Sequence, residues 1–225
     1  MHTKVISPTD TVASVVVAHP GLSRVFETMR IDYCCGGDVP LAQAAAEKGV
    51  DIDTLVALLD ASVTSSDASM DRPGDLSTSA LIDHIVGTHH AYLRRELPRL
   101  VDLATKVADA HGDADVRLYE VLAVMTTLAA ALVAHLEREE RELFPAMVEA
   151  DGSIEETLHR DLLGDHQEAG AALDTLRGLT DGYTLPEWGC NTYRALLDGL
   201  EDLERDTHEH VHLENNVLFP RFGRG

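Results

Sequence analysis

One short pattern, H-x3-E-x3-L-F-P, occurs twice in this chain, at residues 135–145 and again at residues 210–220. The two copies begin 75 residues apart and agree in the spacing of every shared residue. This repeat predicts a duplicated helix pair, in which Pro145 and Pro220 end or kink equivalent turns. A chain built in this way is expected to bring the two copies together as matching halves of one structure.

In each copy, the histidine and the glutamate continue an apolar stripe with steps of three and four residues, which is typical of the inner face of a helix. The first stripe contains Leu118, Val121, Met125, Leu128 and Leu132 before His135 and Glu139. The second stripe contains Leu196, Leu200, Leu203 and Thr207 before His210 and Glu214. Each pair is therefore predicted to be buried and one turn apart, so that both side chains can point at a common centre.

Burial of these two pairs requires a physical reason, because a buried carboxylate is costly unless it is paired or bound to a metal. For a single pair, a hydrogen-bonded couple near a helix end would be the simpler interpretation. Two pairs in matching positions favour a metal site instead.

Each half is expected to supply one more ligand from its preceding helix. His84 follows Leu81 and Ile82 on a predicted inner face, and His166 lies within an apolar stripe. We therefore predict His84 and His166 as ligands. Neighbouring histidines compete with them as ligands, supporting groups or surface residues: His89, His90, His159, His208 and His212. His208 and His212 lie off the stripe of their helix, whereas His159 shares a stripe with His166 and is harder to exclude.

The predicted ligand set of four imidazoles and two carboxylates suits two metal ions bridged by the glutamates. It consists of His84, His135, Glu139, His166, His210 and Glu214. Mixed nitrogen and oxygen donors favour iron over manganese or zinc. Open positions on the metals would admit an oxo bridge, dioxygen or nitric oxide.

The remaining pattern of the chain predicts an all-α fold. Four long helical segments are expected at about residues 77–110, 114–149, 153–180 and 186–218, with Pro98 inside the first. Short connections favour an antiparallel, up-down-up-down four-helix bundle. We predict that this bundle occupies residues 76–225, after a polar linker at 63–75 and a small helical N-terminal domain at 1–62.

Net charge, apolar runs and cysteine content limit the kinds of partner that the protein can bind and the cellular compartment in which it is expected. The formal net charge is −21, which would repel a phosphate backbone and argues against nucleic acid. No apolar run is expected to span a membrane, and the N-terminal residues do not resemble a signal peptide. Three cysteines, two of them adjacent, do not form a disulfide framework, so a reducing cytoplasm is predicted.

The adjacent cysteines lie in the sequence Asp-Tyr-Cys-Cys-Gly-Gly, at a predicted helix-to-turn junction. Cys34 and Cys35 are candidates for metal binding, capture of a nitrosyl group or disulfide exchange. The alternative interpretation is that they are two small buried hydrophobic residues. Cys190 has no partner motif and is predicted to be structural.

These motifs together resemble the repair-of-iron-centres (RIC) proteins, also called the ScdA type. Asp-Tyr-Cys-Cys-Gly-Gly in a short N-terminal domain and the ending His-Leu-Glu-Asn-Asn-Val-Leu-Phe-Pro-Arg of a hemerythrin-like bundle carry the resemblance. It implies a bacterial cytoplasmic protein with an oxo-bridged di-iron centre. Such a protein restores iron–sulfur clusters damaged by nitric oxide or peroxide, so damaged iron–sulfur proteins would be its partners.

The resemblance also implies roles for particular residues. His84, His135, His166 and His210 match terminal iron ligands, Glu139 and Glu214 match bridging carboxylates, and Cys34 and Cys35 match the cysteine pair that handles nitric oxide or iron. Two positions depart from the family pattern. Ala131 stands where some members have an acidic residue, which weakens any iron or proton path along that face. Asp165 stands where a glutamate is expected.

Two other functions remain compatible with the sequence. A di-iron centre that binds one nitrosyl group on each iron could reduce nitric oxide to nitrous oxide. A simple carrier or sensor of dioxygen or nitric oxide would need the bundle but not the cysteine domain. The protein is expected to be a monomer or homodimer.

Overall fold

The computed structural model describes residues 6–63, 73–149 and 156–222. In these ranges the chain is helical, with one isolated extended bridge between Thr11 and Pro40. The all-α prediction is confirmed.

The α-helices of the described ranges are α1 (Val12–Ala18), α2 (Ser23–Met29), α3 (Leu41–Glu47), α4 (Ile52–Ser62), α5 (Thr78–Ile85), α6 (Ala91–His111), α7 (Arg117–Arg138), α8 (Phe144–Val148), α9 (Glu156–Leu179) and α10 (Asn191–Leu213). Turns of π-helix come after α5, α7 and α10, and are named π1 (Val86–His90), π2 (Glu139–Leu143) and π3 (Glu214–Leu218). Turns of 3₁₀-helix cover Pro20–Leu22, Pro73–Asp75 and Phe219–Phe222.

The chain divides into two compact units, one of residues 82–207 and one of residues 1–81 with 208–225. The boundary after Thr207 falls inside α10, which is a single helix from Asn191 to Leu213. One helix is therefore shared by the two units.

The unit of residues 82–207 has one hydrophobic core, to which α6, α7, α9 and the first turns of α10 all contribute. The stripe predicted for α7 is buried along its length: Leu118, Val121, Met125, Leu128 and Leu132. Pro98 lies inside α6 without ending it. Apolar residues repeated with a 3.6-residue period thus determine which face of each helix packs into the core.

Contacts at the helix ends show that neighbouring helices alternate in direction. His111 ends α6, and its Nε2 lies 3.2 Å from the sulfur of Cys190, the residue before α10. Arg117 begins α7 and forms an ion pair of 3.2 Å with Asp181, just after α9. This is the antiparallel arrangement predicted from the short connections.

The helical stretch Arg117–Val148, formed by α7, π2 and α8, contains an 18-residue window with a mean hydropathy of 1.6, which is long and apolar enough to cross a membrane. This finding differs from the prediction that no apolar run is long enough to span a membrane. The core helix of a soluble protein passes the same test, and the inner stripe of α7 lies in the bundle core.

The other unit contains α1 to α4 and a second hydrophobic core, which also includes Val211 from the last turns of α10. Polar contacts in the same unit join these elements. His208 Nδ1 lies 2.9 Å from a carboxylate oxygen of Glu27, and His212 Nδ1 lies 3.0 Å from the carbonyl oxygen of Tyr33. Most of the linker predicted at 63–75 lies outside the described residues.

Candidate metal centre

Glu139 is the first residue of π2 and is fully buried, with an imidazole near each of its two carboxylate oxygens. His135, one turn earlier, places Nε2 3.3 Å from Oε1, and His90 places Nε2 3.4 Å from Oε2. A buried carboxylate flanked in this way has one imidazole nitrogen beside each of its oxygen atoms, which are donor atoms suited to a cation.

His166 of α9 approaches the same region from another helix. Its Nε2 lies 3.1 Å from Nε2 of His135, and both rings are buried. Since two facing ring nitrogens cannot both carry a proton toward each other, at least one presents a lone pair. Lone pairs converging in a buried space are what a metal ion requires.

His210 and Glu214 form the second repeated pair, at the end of α10 and the start of π3. His210 Nε2 lies 2.9 Å from Oε1 of Glu214, and neither side chain is more than 1% exposed. This pair corresponds to His135 and Glu139 in the first copy of the repeat.

The potential ligand atoms form two buried groups, each with all its atoms within 4.8 Å of one another. One group is His90, Glu139, His210 and Glu214, and the other is His135, Glu139, His166 and Glu214. Each group has two histidines of its own, whereas both glutamates belong to both groups. The arrangement is that of two neighbouring cation positions with two shared carboxylates.

The π-helical turns coincide with the ligands. His90 ends π1, Glu139 begins π2 and Glu214 begins π3. A π-helical turn contains an extra residue, which changes the phase of the helix after the turn, and such turns are frequent at functional sites. The shared pattern H-x3-E-x3-L-F-P therefore encodes the same irregular turn twice.

His84 is the predicted ligand that the structure leaves outside both groups. It is exposed on α5, because Leu81 and Ile85 occupy the inner positions and are fully buried. His90 stands in its place, so we replace His84 by His90 in the proposed ligand set. Counting back from Leu97 in steps of four and three leads to His90, whereas counting forward from Leu81 cannot account for the extra residue of π1.

The competing histidines have other surroundings in the structure. His159 is half-buried and outside both groups, and burial, followed by the charge of His166, lowers its pKa. His89 Nδ1 lies 3.0 Å from Asp206. Burial lowers the pKa of His212 to about 4, which leaves it a neutral donor to a backbone carbonyl.

Asp165, where a glutamate was expected, lies against a ligand. Its Oδ2 is 3.2 Å from Nδ1 of His135 and 3.1 Å from Nη1 of Arg138. Asp165 and Ala131 also line a groove of about 340 Å³ between α7 and α9, whose walls are mainly small and apolar. No acidic side chain stands at position 131, so Asp165 and Glu168 supply the acidic groups among the groove's lining residues.

Cys34 and Cys35 lie on a turn organised by Asp32, whose carboxylate accepts hydrogen bonds from the backbone N–H groups of Cys34, Cys35 and Gly36 at 2.9–3.0 Å. The two sulfurs are 4.0 Å apart. Cys34 is buried and Cys35 is exposed. The hydrogen bond with Cys35, together with burial and the Asp32 carboxylate, raises the pKa of Cys34, so this residue stays a thiol. Neither cysteine belongs to the two ligand groups found in the described part of the chain.

The bundle and its two shared carboxylates define a hemerythrin-like cation-binding protein. Residues 81–222 match the family model of the hemerythrin HHE cation-binding domain, and residues 8–63 match that of the ScdA_N domain, a domain of unknown function.

Comparison with characterised proteins makes the class more specific. The chain is 36% identical over 212 residues to the iron–sulfur cluster repair protein YtfE of Yersinia pseudotuberculosis serotype O:1b, with 94% of this chain and 96% of the relative covered. The same values hold for the protein of that name in Yersinia pestis strain Pestoides F. The chain belongs to this family of iron–sulfur cluster repair proteins, as the sequence motifs predicted.

Proposed function

We propose that this protein binds two iron ions in its bundle and repairs iron–sulfur clusters damaged by nitrosative or oxidative stress by supplying iron. The observation that carries the proposal is the pair of buried histidine–glutamate groups that share Glu139 and Glu214. Its relatives are named for iron–sulfur cluster repair, and they match almost the whole chain, including the cysteine domain.

The donor set fits iron. Imidazole nitrogens mixed with carboxylate oxygens suit iron better than the all-oxygen sites of calcium and magnesium or the thiolate-rich sites of structural zinc. In one position His90 and His210 would be terminal ligands, in the other His135 and His166, with both glutamates shared. Two carboxylates in this buried place also offset part of the positive charge of the ions. When bound, iron supplies redox chemistry and binding of small ligands such as nitric oxide or dioxygen.

Incomplete coordination by the protein supports delivery of iron rather than permanent retention. Each group offers four protein ligands, two of which are shared with the other group. Iron in an octahedral environment takes about six ligands, so the chain leaves positions open. With iron held by these residues, such a position would be available to an acceptor protein or a small ligand.

The paired cysteines are proposed to take part in transfer of iron or nitric oxide. Cys35 is exposed and is the member of the pair that another molecule can reach first. Cys34 is buried and kept as a thiol, so it would act after Cys35. Reduced cysteines of this kind are consistent with the proposed location in the cytoplasm.

Reactivation of a nitrosylated iron–sulfur enzyme by iron-loaded protein tests this function. We expect wild-type protein to restore activity and to lose about one iron per restored iron site, whereas a Glu139→Gln, Glu214→Gln variant should bind little iron and restore little activity. Glu137→Gln, an exposed change on the same helix, is the matched control and should behave as wild type.

Three outcomes would overturn the proposal in different ways. If the same amount of free ferrous iron restores as much activity, the protein does not deliver iron. Catalytic release of nitrous oxide from nitric oxide would identify a reductase instead. Reversible dioxygen binding without reactivation of the damaged enzyme would identify a carrier.

A further inference from the structure

The imidazole of His90 is held at both of its nitrogen atoms by consecutive residues of π2. Nε2 lies 3.4 Å from Glu139, and Nδ1 lies 2.7 Å from Oε1 of Glu140. The same oxygen of Glu140 accepts a hydrogen bond of 2.8 Å from Nη1 of Arg94, one turn after His90. A row of three groups thus runs outward from the proposed metal position: His90, Glu140 and Arg94.

Burial in this row decreases outward. The side chain of His90 is fully buried, that of Glu140 is 29% exposed and that of Arg94 is 42% exposed. A carboxylate beside a fully buried imidazole acts through surroundings with little water, where a hydrogen bond has a greater electrostatic effect than at the surface. The arginine, which is more exposed, acts on the carboxylate more weakly.

The short contact at Nδ1 fixes how His90 can serve a metal. A carboxylate only accepts, so Nδ1 must carry the proton and donate it to Glu140. In the neutral ring the lone pair then lies on Nε2, the nitrogen that faces Glu139. Histidine ligands commonly donate their second nitrogen to a carboxylate, which fixes the ring and makes it a stronger donor to the metal.

Two consecutive carboxylates, those of Glu139 and Glu140, face the two nitrogen atoms of His90. Glu139 and Glu140 are neighbours in sequence, yet one is fully buried and the other reaches the outer side of the same ring. At two consecutive positions of a regular helix, side chains point about 100° apart. Here the two side chains contact the His90 ring at its two different nitrogen atoms.

We propose that Glu140 is a positioning residue for the metal centre, which fixes the tautomer of His90 and strengthens it as a ligand, and that Arg94 moderates this effect. The inference rests on the metal centre of the proposed function. It gives a functional role to Glu140 and Arg94, which are not themselves ligands.

The test uses the iron-loaded, full-length protein with the changes Glu140→Gln and Arg94→Gln. Glutamine can still accept the hydrogen bond from Nδ1 but carries no charge. We expect Glu140→Gln to release iron to a ferrous chelator about 10- to 100-fold faster than wild type, because loss of such a supporting residue typically lowers metal affinity by that factor. Glu142→Gln and Arg95→Gln are exposed changes of the same kind nearby and should release iron at the wild-type rate.

The reduction potential of the iron centre distinguishes a role of Glu140 in positioning His90 from a role of the Glu140–Arg94 ion pair in stabilising the fold. Loss of the negative charge in Glu140→Gln should raise the potential, because the ferric state loses a supporting charge. Loss of the positive charge in Arg94→Gln should lower it, by a smaller amount. Both changes break the same ion pair, so a purely structural role would give shifts of the same sign.

Opposite potential shifts with faster release in Glu140→Gln would support the inference. Wild-type release and potential in Glu140→Gln, with thermal unfolding of the metal-free protein unchanged, would overturn it. Shifts of the same sign in both variants would also overturn it, in favour of a structural ion pair. If wild-type protein itself bound no iron, the proposed function would be wrong, and that result would be distinguishable from a failure of the role of Glu140.

Discussion

Cys190, immediately before α10, has surroundings that favour its thiolate form. Its sulfur lies 3.2 Å from Nε2 of His111 and near the N-terminal backbone of the helix. The hydrogen bond with His111, followed by the backbone N–H of Tyr193, lowers the pKa of Cys190 to about 7. The sequence alone predicts a structural cysteine here, because the partner histidine is far away in the chain.

We therefore expect Cys190 to be alkylated by iodoacetamide at neutral pH. The thiolate is the nucleophile, so the rate should rise with pH, reach half its maximum near pH 7 and level off above it. The measurement uses a variant with Cys34 and Cys35 changed to serine, since the chain has three cysteines. Adding His111→Gln should move the midpoint toward about 8.5, the value of an unperturbed thiol. A midpoint near 8.5 in both proteins would contradict the contact.

Gly37 shows how a single residue shapes the cysteine turn. A Cβ atom at this position would lie 2.6 Å from the carbonyl oxygen of Tyr33 and 2.7 Å from the Cβ of Ala13. Both are atoms that cannot move independently of the backbone. Gly37 is thus required by packing, in addition to its part in the turn signal.

Replacement of Gly37 by alanine is expected to lower the free energy of unfolding by about 1–3 kcal/mol, as other overpacked sites do. Gly170→Ala is the contrasting control, because a Cβ there meets nothing within 4 Å and the residue lies inside α9. That change should raise stability by up to about 1 kcal/mol. Denaturant unfolding followed by circular dichroism measures both, and equal effects would argue against the close contact at Gly37.

At the level of helices, the sequence pattern predicts the bundle but not its irregular turns. The 3.6-residue period of the stripe in α7 leads correctly to buried His135 and Glu139, because no irregularity precedes them. The same counting fails between Leu81 and His90, because π1 adds a residue in between. A π-helical turn results from tertiary packing, so local propensity and period carry little information about it.

Deletion of Glu142 tests the role of π2. Glu142 is exposed, so its removal costs no buried contact, but it takes the extra residue out of the turn. The turn can then close as regular α-helix, so the residues after it keep their native orientation. Phe144, which stacks on His90 with ring centroids 5.7 Å apart, and Met147 would therefore stay in the core. We expect the metal-free protein to lose less than the roughly 3 kcal/mol that removal of a buried phenylalanine costs.

Glu142→Ala is the control for this deletion and should unfold near the wild-type temperature. It removes the side chain but keeps the number of residues in the turn. A deletion that costs about 3 kcal/mol or more beside a neutral substitution would show that π2 does not accommodate one extra residue.

For the whole molecule, the sequence pattern predicts two separate domains, with the bundle complete in residues 76–225. The structure in addition groups the last turns of α10 with α1 to α4. Val211 lies in the core of that unit, and Asn216 donates a hydrogen bond of 2.9 Å to the carbonyl oxygen of Cys34. The periodicity of the sequence shows which face of α10 is apolar. It does not show which other helices pack against a second face of α10.

This grouping predicts that the N-terminal residues support one half of the metal centre. His210 and Glu214 lie on the turns of α10 and π3 that share the core of α1 to α4. Deletion of residues 1–63 would expose Val211 and remove the contact between His212 and Tyr33. We expect residues 208–218 to lose protection from hydrogen exchange and the protein to release iron faster, while α6 and α7 remain protected.

Val211→Ala in the full-length protein is a milder test of the same connection. It removes two methyl groups from the core of the small unit and leaves every proposed ligand unchanged, so faster exchange over 208–218 without loss of α7 protection is expected at a smaller scale. A truncated protein with wild-type protection and iron release would show that the bundle alone holds its metals. In that case the N-terminal residues would serve transfer only, since the end of α10 would need no support from them.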